Sequence, residues 1–395
     1  MSILINNNKF TKVYFGGDNI SKIYKGKDLV FQLSSDSGGD DFDGQIQLTL
    51  AKSVSSGSEL FRYRVSSNSI SIYTATKDYS KGDVLTINDL PDMLSQFAFV
   101  EDVCSRIAFS SKINILNDAY MGYMFSGCAE LTSLDVSHFD TSQVTNMGSM
   151  FEKCTELTSL DVSNFNTTSV TTMNYMFNEC ASLTSLDVSN FNTTSVMYMR
   201  YMFNRCYKLT SLNLSHFNTS KVTDMSYMFQ DCRSLTSLDV SKFNTTSVTN
   251  MKWMLSGLYT LSSLDVSNFN TTSVTDMGYM FYEDYALTSL DVSNFDTSSV
   301  TNMGSMFLYC TKLKNIIFGP SWGKNTASLI LNLSSYTNSD NKYQFTDETW
   351  NSMLNMYDRA SNGLSSMNIS IKSTSNVPDG WTKKMTAKGY SISLN

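Results

Sequence analysis

The side chains that could do chemistry are few, and they recur at fixed spacing. Only two histidines are present, His138 and His216, at the same site of a repeated unit and three units apart. No paired histidines, CxxC, HExxH, glycine-rich phosphate loop or nucleophile elbow accompanies them. The acidic string 36–43 lacks the spacing and the terminal Glu of a calcium loop. Catalytic residues, metal ligands and cofactors are therefore expected to be none, and the chain is expected not to be an enzyme. What remains are two ladders. Asp135, Asp161, Asp187, Asp239, Asp265 and Asp291 occupy one site, with Asn213 filling the missing rung. Tyr123, Tyr175, Tyr201, Tyr227, Trp253 and Tyr279 occupy another. Stacked carboxylates repel, so the acidic ladder is either a solvated polar face or a site for cations or a basic ligand. The aromatic ladder either seals the surface by lying flat between neighbours or docks a sugar or protein.

The element that must position these ladders is a 26-residue repeat. Leu131, Leu157, Leu183, Leu209, Leu235, Leu261, Leu287 and Leu313 fall on its step, so residues 131–312 are seven complete units. In the unit starting at Leu157 the apolar sites are Leu157, Leu160, Val162, Phe165, Val170, Met173, Met176, Phe177 and Cys180. Across the seven units only Asp284 departs from an apolar type at these sites, which marks them as core. Leu160 and Val162 alternate with polar residues, as in a strand. Val170, Met173, Phe177 and Cys180 recur at helical spacing, after Ser and Thr residues suited to an N-cap. The unit therefore reads as strand, turn, short helix, turn. Strands stack about 4.8 Å apart and helices about 8–10 Å, so the stack is expected to curve with strands on its concave side. That places the Asp ladder on the concave face and the aromatic ladder on the convex face. The sites beside the aromatic ladder (Asn174, Arg200, Ser226, Lys252) vary most from unit to unit.

Five of the seven cysteines (Cys128, Cys154, Cys180, Cys206, Cys232) lie at the same site of successive units, with Leu258 and Asp284 there in the next two. Helix-side spacing would hold them too far apart to bridge, so they are expected to be free buried thiols. Asp284 at a core site implies either a loosened, wet stretch of the stack or a dedicated partner.

The motif LTSLDVSNF followed by SVTxMxxMFxxC, present in nearly every unit, resembles the leucine-rich repeats of BspA-like bacterial surface proteins, over about residues 105–312. Phe165 and Phe191 stand where the general leucine-rich pattern has its asparagine, and Asn166 and Asn192 follow. Phe is expected to fill the turn and Asn to bond loop backbone. The resemblance implies an α/β fold: a curved leucine-rich-repeat solenoid, with a small β region at the N-terminus. The expected organisation is a β-hairpin docking segment over 1–33, a flexible acidic linker over 34–44 and a small β domain over 45–104. The solenoid follows over 105–312, beginning with a degenerate capping unit, and a strand-helix cap covers 313–395. Within that cap, strands are expected at 327–333, 367–372 and 390–394, with helices over 346–360 and after Pro378. The ten-residue repeats KVYFGGDNIS and KIYKGKDLVF (12–31) resemble the opening segments of structural proteins from phages of gut bacteria.

Composition bounds the partners. Charged residues are 16% of the chain and the net charge is −7, with no basic stretch, so nucleic acid is not an expected partner. No apolar window is long enough to span a membrane, and the N-terminus does not read as a signal peptide. Together with the resemblances, this points to a virion surface protein: a phage head fibre, decoration or tail subunit. It would dock to other virion proteins through residues 1–33 and present the solenoid to a host-surface protein or glycan. A bacterial cell-surface adhesin is the alternative, and a homo-oligomer stays open.

Overall fold

A computed structural model describes residues 20–22, 32–33, 46–50, 53–66, 69–75, 78–87, 96–99, 104–109, 113–114, 120–325, 330–332, 345–364, 366–371 and 376–394. The acidic linker 34–44 and most of the hairpin segment 1–33 lie outside the described residues. Within the latter, β1 (Ile20–Lys22) pairs antiparallel with β2 (Gln32–Leu33). The next region supplies β3 (Ile46–Leu50), β4 (Glu59–Ser66), β5 (Ser69–Thr74), β6 (Val84–Ile87), β7 (Gln96–Phe99) and β8 (Cys104–Phe109). One sheet has the order β5-β4-β7, all antiparallel. In the other, β3 lies between β6 and β8, antiparallel to both.

Strand β8 is the hinge of the architecture. Its second edge pairs in parallel with β10 (Ser133–Leu134), the first strand of the repeats, after β9 (Ile113–Asn114). An antiparallel sheet thus turns into a parallel stack through one shared strand. Next in the chain, β11 (Phe139–Asp140) pairs in parallel with β9.

From there each 26-residue unit is one coil, hydrogen-bonded to its neighbours. The nine apolar sites are buried in all seven units, none more than 9% exposed, and Asp284 is buried with them. The core is a set of side-chain columns. Phe125, Phe151, Phe177, Phe203 and Phe229 stack ring on ring at 5.6–5.8 Å.

The expected short helix is absent: among the described residues of the coils there is none. Residues 173–180 and their equivalents form overlapping turns instead. Asn178 and Cys180 N–H bond back three residues, to Tyr175 and Phe177 carbonyls. The alternate N–H groups of Met173, Tyr175, Phe177 and Glu179 leave the coil. They bond the carbonyls of Tyr198, Arg200, Met202 and Asn204 in the next coil at 2.8–3.0 Å. A turn every two residues puts Val, Met, Phe and Cys inward at the same spacing as a helix would. It also lets adjacent coils approach to ladder distance, which helices cannot. The helical spacing that was expected to curve the stack and to separate the cysteines is therefore missing.

The strand side is sparser than expected. Regular strands form only at the ends, at β10 and at β12 (Ser289–Val292), which pairs in parallel with β13 (Asn315–Phe318). Between them, single bonds such as Thr210 N–H to Thr184 carbonyl, at 3.3 Å, join the coils.

The third side is held by side chains. The hydroxyl of Thr193 accepts the N–H of Asn218 at 2.7 Å and donates to the carbonyl of the same residue at 3.0 Å. The same pair of bonds recurs at Thr141 and Thr271. All seven threonines of this site are buried. Next to them, the Asn164 amide donates to three carbonyls of the preceding coil, those of Val136, Ser137 and Phe139. Asn190, Asn268 and Asn294 repeat this. As expected, Phe165 is buried and Asn166 bonds its own loop, accepting from Thr168 N–H. The stronger cross-coil role belongs to Asn164.

The C-terminal region follows the expected elements closely: β14 (Ile330–Asn332), α1 (Asp347–Met353), β15 (Met367–Ile371), α2 (Trp381–Ala387) and β16 (Tyr390–Leu394). Helix α1 is shorter than the expected 346–360 but starts as read, with Thr346 capping Thr349 N–H. Strands β14, β15 and β16 form a separate parallel sheet. The open edge of β13 is closed by α1: the Thr349 hydroxyl accepts Ile316 N–H, and the Ser352 hydroxyl donates to Ile316 carbonyl. Two hydroxyls thus substitute for a further coil and blunt the edge.

Two stability measurements follow. Thr193→Val keeps the shape but leaves the N–H and carbonyl of Asn218, part-buried against Thr193, without their side-chain partner. It should cost about 1–3 kcal/mol in urea unfolding, and Thr193→Ser should cost less. Lys153 has φ 60°, and two other coils place Gly127 and Gly257 at its site, at φ 76° and 71°. Lys153→Gly should therefore be more stable than Lys153→Ala, by roughly 1 kcal/mol. A helix would give the opposite order.

Candidate functional site

The turn face owes its character to two left-handed residues in each coil. Tyr123, Tyr175, Tyr201, Tyr227, Trp253 and Tyr279 all have φ between 58° and 64°. Four residues on, the second position also has positive φ: 60° at Lys153 and Glu179, 56° at Arg205, 59° at Asp231 and 62° at Glu283. A left-handed non-glycine residue costs about 1–2 kcal/mol, and the cross-coil bonds on either side offset it. The conformation turns these side chains away from the core.

The structure brings the expected aromatic residues together as one column, with a break. Tyr175 and Tyr201 stack at 4.6 Å, Tyr201 and Tyr227 at 4.2 Å, and Trp253 and Tyr279 at 4.2 Å, all within 10° of parallel. Tyr227 and Trp253 are 6.1 Å apart. The rings cover each other's faces and present their edges. Tyr123 lies outside these stacks, because Ser149 fills the rung beside it, and its ring stacks instead with Tyr120 at 6.4 Å. Tyr123 is 54% exposed.

Beside the column runs a groove of about 450 Å³. Tyr175, Tyr201, Tyr227 and Trp253 form one wall, and Asn178, Asn204 and Gln230 contribute polar groups. The Asn204 amide donates to Asn178 Oδ1 at 2.6 Å, and that of Asn178 to Glu152 at 3.1 Å. Arg205 and Glu179 pair across its rim at 3.0 Å. Asn204 Oδ1 is buried and accepts no hydrogen bond. Arg200 lies over Tyr175 and Tyr201, at 5.9 and 5.0 Å.

A second aromatic cluster was not foreseen. Arg233 is sandwiched between Tyr207 and Tyr259, at 4.6 and 4.9 Å, and paired with Asp231 at 2.8 Å. Tyr259 donates to Glu283 at 2.8 Å. The sequence signal was present, since Tyr207, Arg233, Tyr259 and Tyr285 lie on one 26-residue step.

The acidic ladder is exposed, and one oxygen of each carboxylate is committed locally. Oδ1 of Asp135, Asp161, Asp187, Asp239, Asp265 and Asp291 accepts the N–H of the serine two residues on, at 2.9 Å. Asn213 does the same with Ser215 at 3.1 Å. Hydrogen bonds from those serines hold Asp161, Asp187 and Asp265 below the usual carboxylate range. The ladder thus shapes its own turn, which explains why Asn can replace Asp. His138 and His216 occupy the Asn164 site, on separate coils. Among the described residues, no group of three or more His, Cys, Asp or Glu side chains gathers as a metal site.

All seven cysteines are free and buried, although the spacing argument for this fails. The thiols of Cys154, Cys180, Cys206 and Cys232 donate to phenylalanine carbonyls at 3.1–3.2 Å. Burial pushes Cys154 and Cys206 up to about 12. Asp284 has a dedicated partner: its Oδ1 accepts Leu258 N–H at 2.9 Å.

These groups give opposite pH signatures. Burial raises the Asp284 carboxyl well above its ordinary 3.8, so folding favours its protonated form. That contribution is complete below the ordinary value and is lost as pH rises toward the folded pKa. The ladder carboxylates, with lowered pKa, contribute above the ordinary value and lose it as pH falls through the folded pKa. Urea unfolding from about pH 5 to about pH 8 should show stability falling in the parent chain. Asp284→Asn should flatten that slope while keeping the bond to Leu258.

Comparison with protein families gives repeated, overlapping matches to one model, at residues 70–162, 119–237, 155–264, 185–289 and 223–348. No curated protein and no solved structure matches the chain. The matched span takes in the later strands of the sheet region, from β6 on, all seven units and β13. The chain belongs to the repeat family described as Mycoplasma protein of unknown function, DUF285.

Proposed function

We propose that the chain is a non-enzymatic binding protein that displays the turn face of its repeat stack to a protein or glycan on another surface. The observation that carries this is a constant frame under variable side chains. The cross-coil backbone bonds repeat in every unit, whereas the groove site reads Glu152, Asn178, Asn204, Gln230 and Ser256 in successive coils. The site before the aromatic column changes in the same way, through Asn174, Arg200, Ser226 and Lys252. A surface built to display would keep the one and vary the other. The groove supplies what such docking uses: aromatic edges, amides and a buried, unsatisfied Asn204 oxygen.

The finer reading is a bacteriophage virion component, a head fibre, decoration or tail protein, docked to other virion proteins through residues 1–33. The ten-residue repeats of that segment support it. A bacterial cell-surface adhesin is the second reading, favoured by the resemblance of the motif to BspA-like surface proteins. In either setting the docking surface is the solenoid, and neither nucleic acid nor a membrane span enters the proposal.

Mass spectrometry of purified phage particles from the source community separates the two. Stoichiometric peptides of this chain in particles support the virion reading, and recovery from bacterial envelopes in their absence overturns it. Replacing Tyr201, Tyr227 and Trp253 together with Ser should abolish adhesion to host cells while the chain stays folded by circular dichroism. Unchanged adhesion would place docking elsewhere than this column.

A further inference from the structure

One coil gives up two bonds that its neighbours keep. The other six coils carry threonine at the site of Met197. In four of them its hydroxyl donates to the carbonyl of the same site in the preceding coil, as Thr171 does to Thr145. Five coils carry Asn or Asp at the site of Tyr198, and in each the side-chain Oδ1 accepts the N–H two residues on, at 2.8–3.1 Å. Met197 lacks the hydroxyl, and Tyr198 supplies no such cap. A substitute keeps the turn: Arg200 N–H is accepted by Asn174 Oδ1 of the preceding coil at 2.8 Å. No other coil has asparagine at the Asn174 site. The cap lost at Tyr198 is thus restored from outside its own coil.

The fold gains no burial in exchange. Met197 is 39% exposed and Tyr198 43%. Met199 between Tyr198 and Arg200 is buried, so those two residues share the outer face, and Arg200 is exposed as well. Its guanidinium is ordered by lying over Tyr175 and Tyr201. Among the described residues no carboxylate forms an ion pair with it. Asp224 of the next coil acts on it through its charge, but that side chain caps Ser226 N–H. The next two coils add Lys221 and, at the site of Arg200 itself, Lys252. Methionine, tyrosine and arginine are the residue types concentrated at the centres of protein interfaces. An ordered guanidinium takes a carboxylate in two parallel bonds, and the exposed Met and Tyr beside it take an apolar side chain.

We propose that Met197, Tyr198 and Arg200 form a docking patch for a partner protein that presents a carboxylate side chain next to an apolar one. The inference rests on the turn-face reading above and deepens it by naming the coil that docks and the kind of partner it takes.

The test selects a random peptide library, displayed on ribosomes, against the full parent chain. Enriched peptides are then labelled, and fluorescence anisotropy reads their affinities. They should share an Asp or Glu beside an apolar residue, and exchanging that acid for its amide should weaken binding at least about ten-fold. Met197→Thr combined with Tyr198→Asn returns the coil to the residue types of its neighbours. It should weaken binding as much, with a urea midpoint unchanged or higher because the missing bonds are restored. Arg200→Lys, which keeps the charge and loses the fork, should weaken binding less than Arg200→Asn. No enrichment, a consensus without an acidic residue, or binding that survives the double substitution overturns the proposal. So does a neutral oligosaccharide that the double substitution blocks while no peptide is enriched; the patch is then a sugar site, and the turn-face reading stands without this inference. If the peptides behave as expected but the doubly substituted chain still attaches to host cells, the patch stands and the adhesion reading of this face falls instead.

Discussion

In residues 173–180 and their equivalents, alternate peptide N–H groups leave their own coil and bond the next. This one arrangement sets the rest of the turn face. It fixes the distance between coils, and that distance makes the phenylalanines and tyrosines stack. It also demands two left-handed residues per coil. The residues that meet the demand are mostly not glycines, so their side chains are thrown outward at regular intervals. The core columns and the outer columns are two sides of the same hydrogen-bond ladder. The threonine bridges are side-chain versions of it, satisfying backbone groups where the coil bends, and the thiols add a second donor to phenylalanine carbonyls that already accept a cysteine N–H.

Much of this was legible in the sequence because a repeat samples each site several times. A single apolar Met or Phe says little, but the same site apolar in every unit can only be core, and burial agrees throughout. The last region was also legible: Thr346 marks a helix start, and the runs near 330, 367 and 390 alternate as strands do. The short helix was not legible. Overlapping turns and a helix both return the chain to the core at the same residues, so both bury positions i, i+3, i+7 and i+10. What separates them is the sign of φ at Tyr175 and Glu179, and neither residue type announces it. Gly127 and Gly257 at the second of these sites were the available hint.

The candidate sites divide along the same line. Which residues form a ladder was legible, because it follows from the 26-residue step. What each ladder can do depends on rise per coil, which the sequence does not carry. At helix spacing the tyrosines would have shown their faces; at ladder spacing neighbouring rings cover one another, and Ser149 and Ser305 interrupt the column. Each Oδ1 of the acidic ladder caps the turn two residues on, a local role that the 26-residue step alone does not show. The Arg233 sandwich joins residues of three different coils, a contact visible only after the coils are stacked.

Among the described coils, contacts run from one unit to the next at offsets of about one repeat. A genetic gain or loss of one whole unit by unequal recombination would thus re-form every bond at the new junction, between β8 at one end and the α1 hydroxyls at the other. Length becomes a neutral variable for such a gene. The position of the serine rung, the Arg233 sandwich and the groove amides would shift along the stack as movable inserts. New arrangements of the outer face would then arise by shuffling intact units, without passing through an unfolded ancestor.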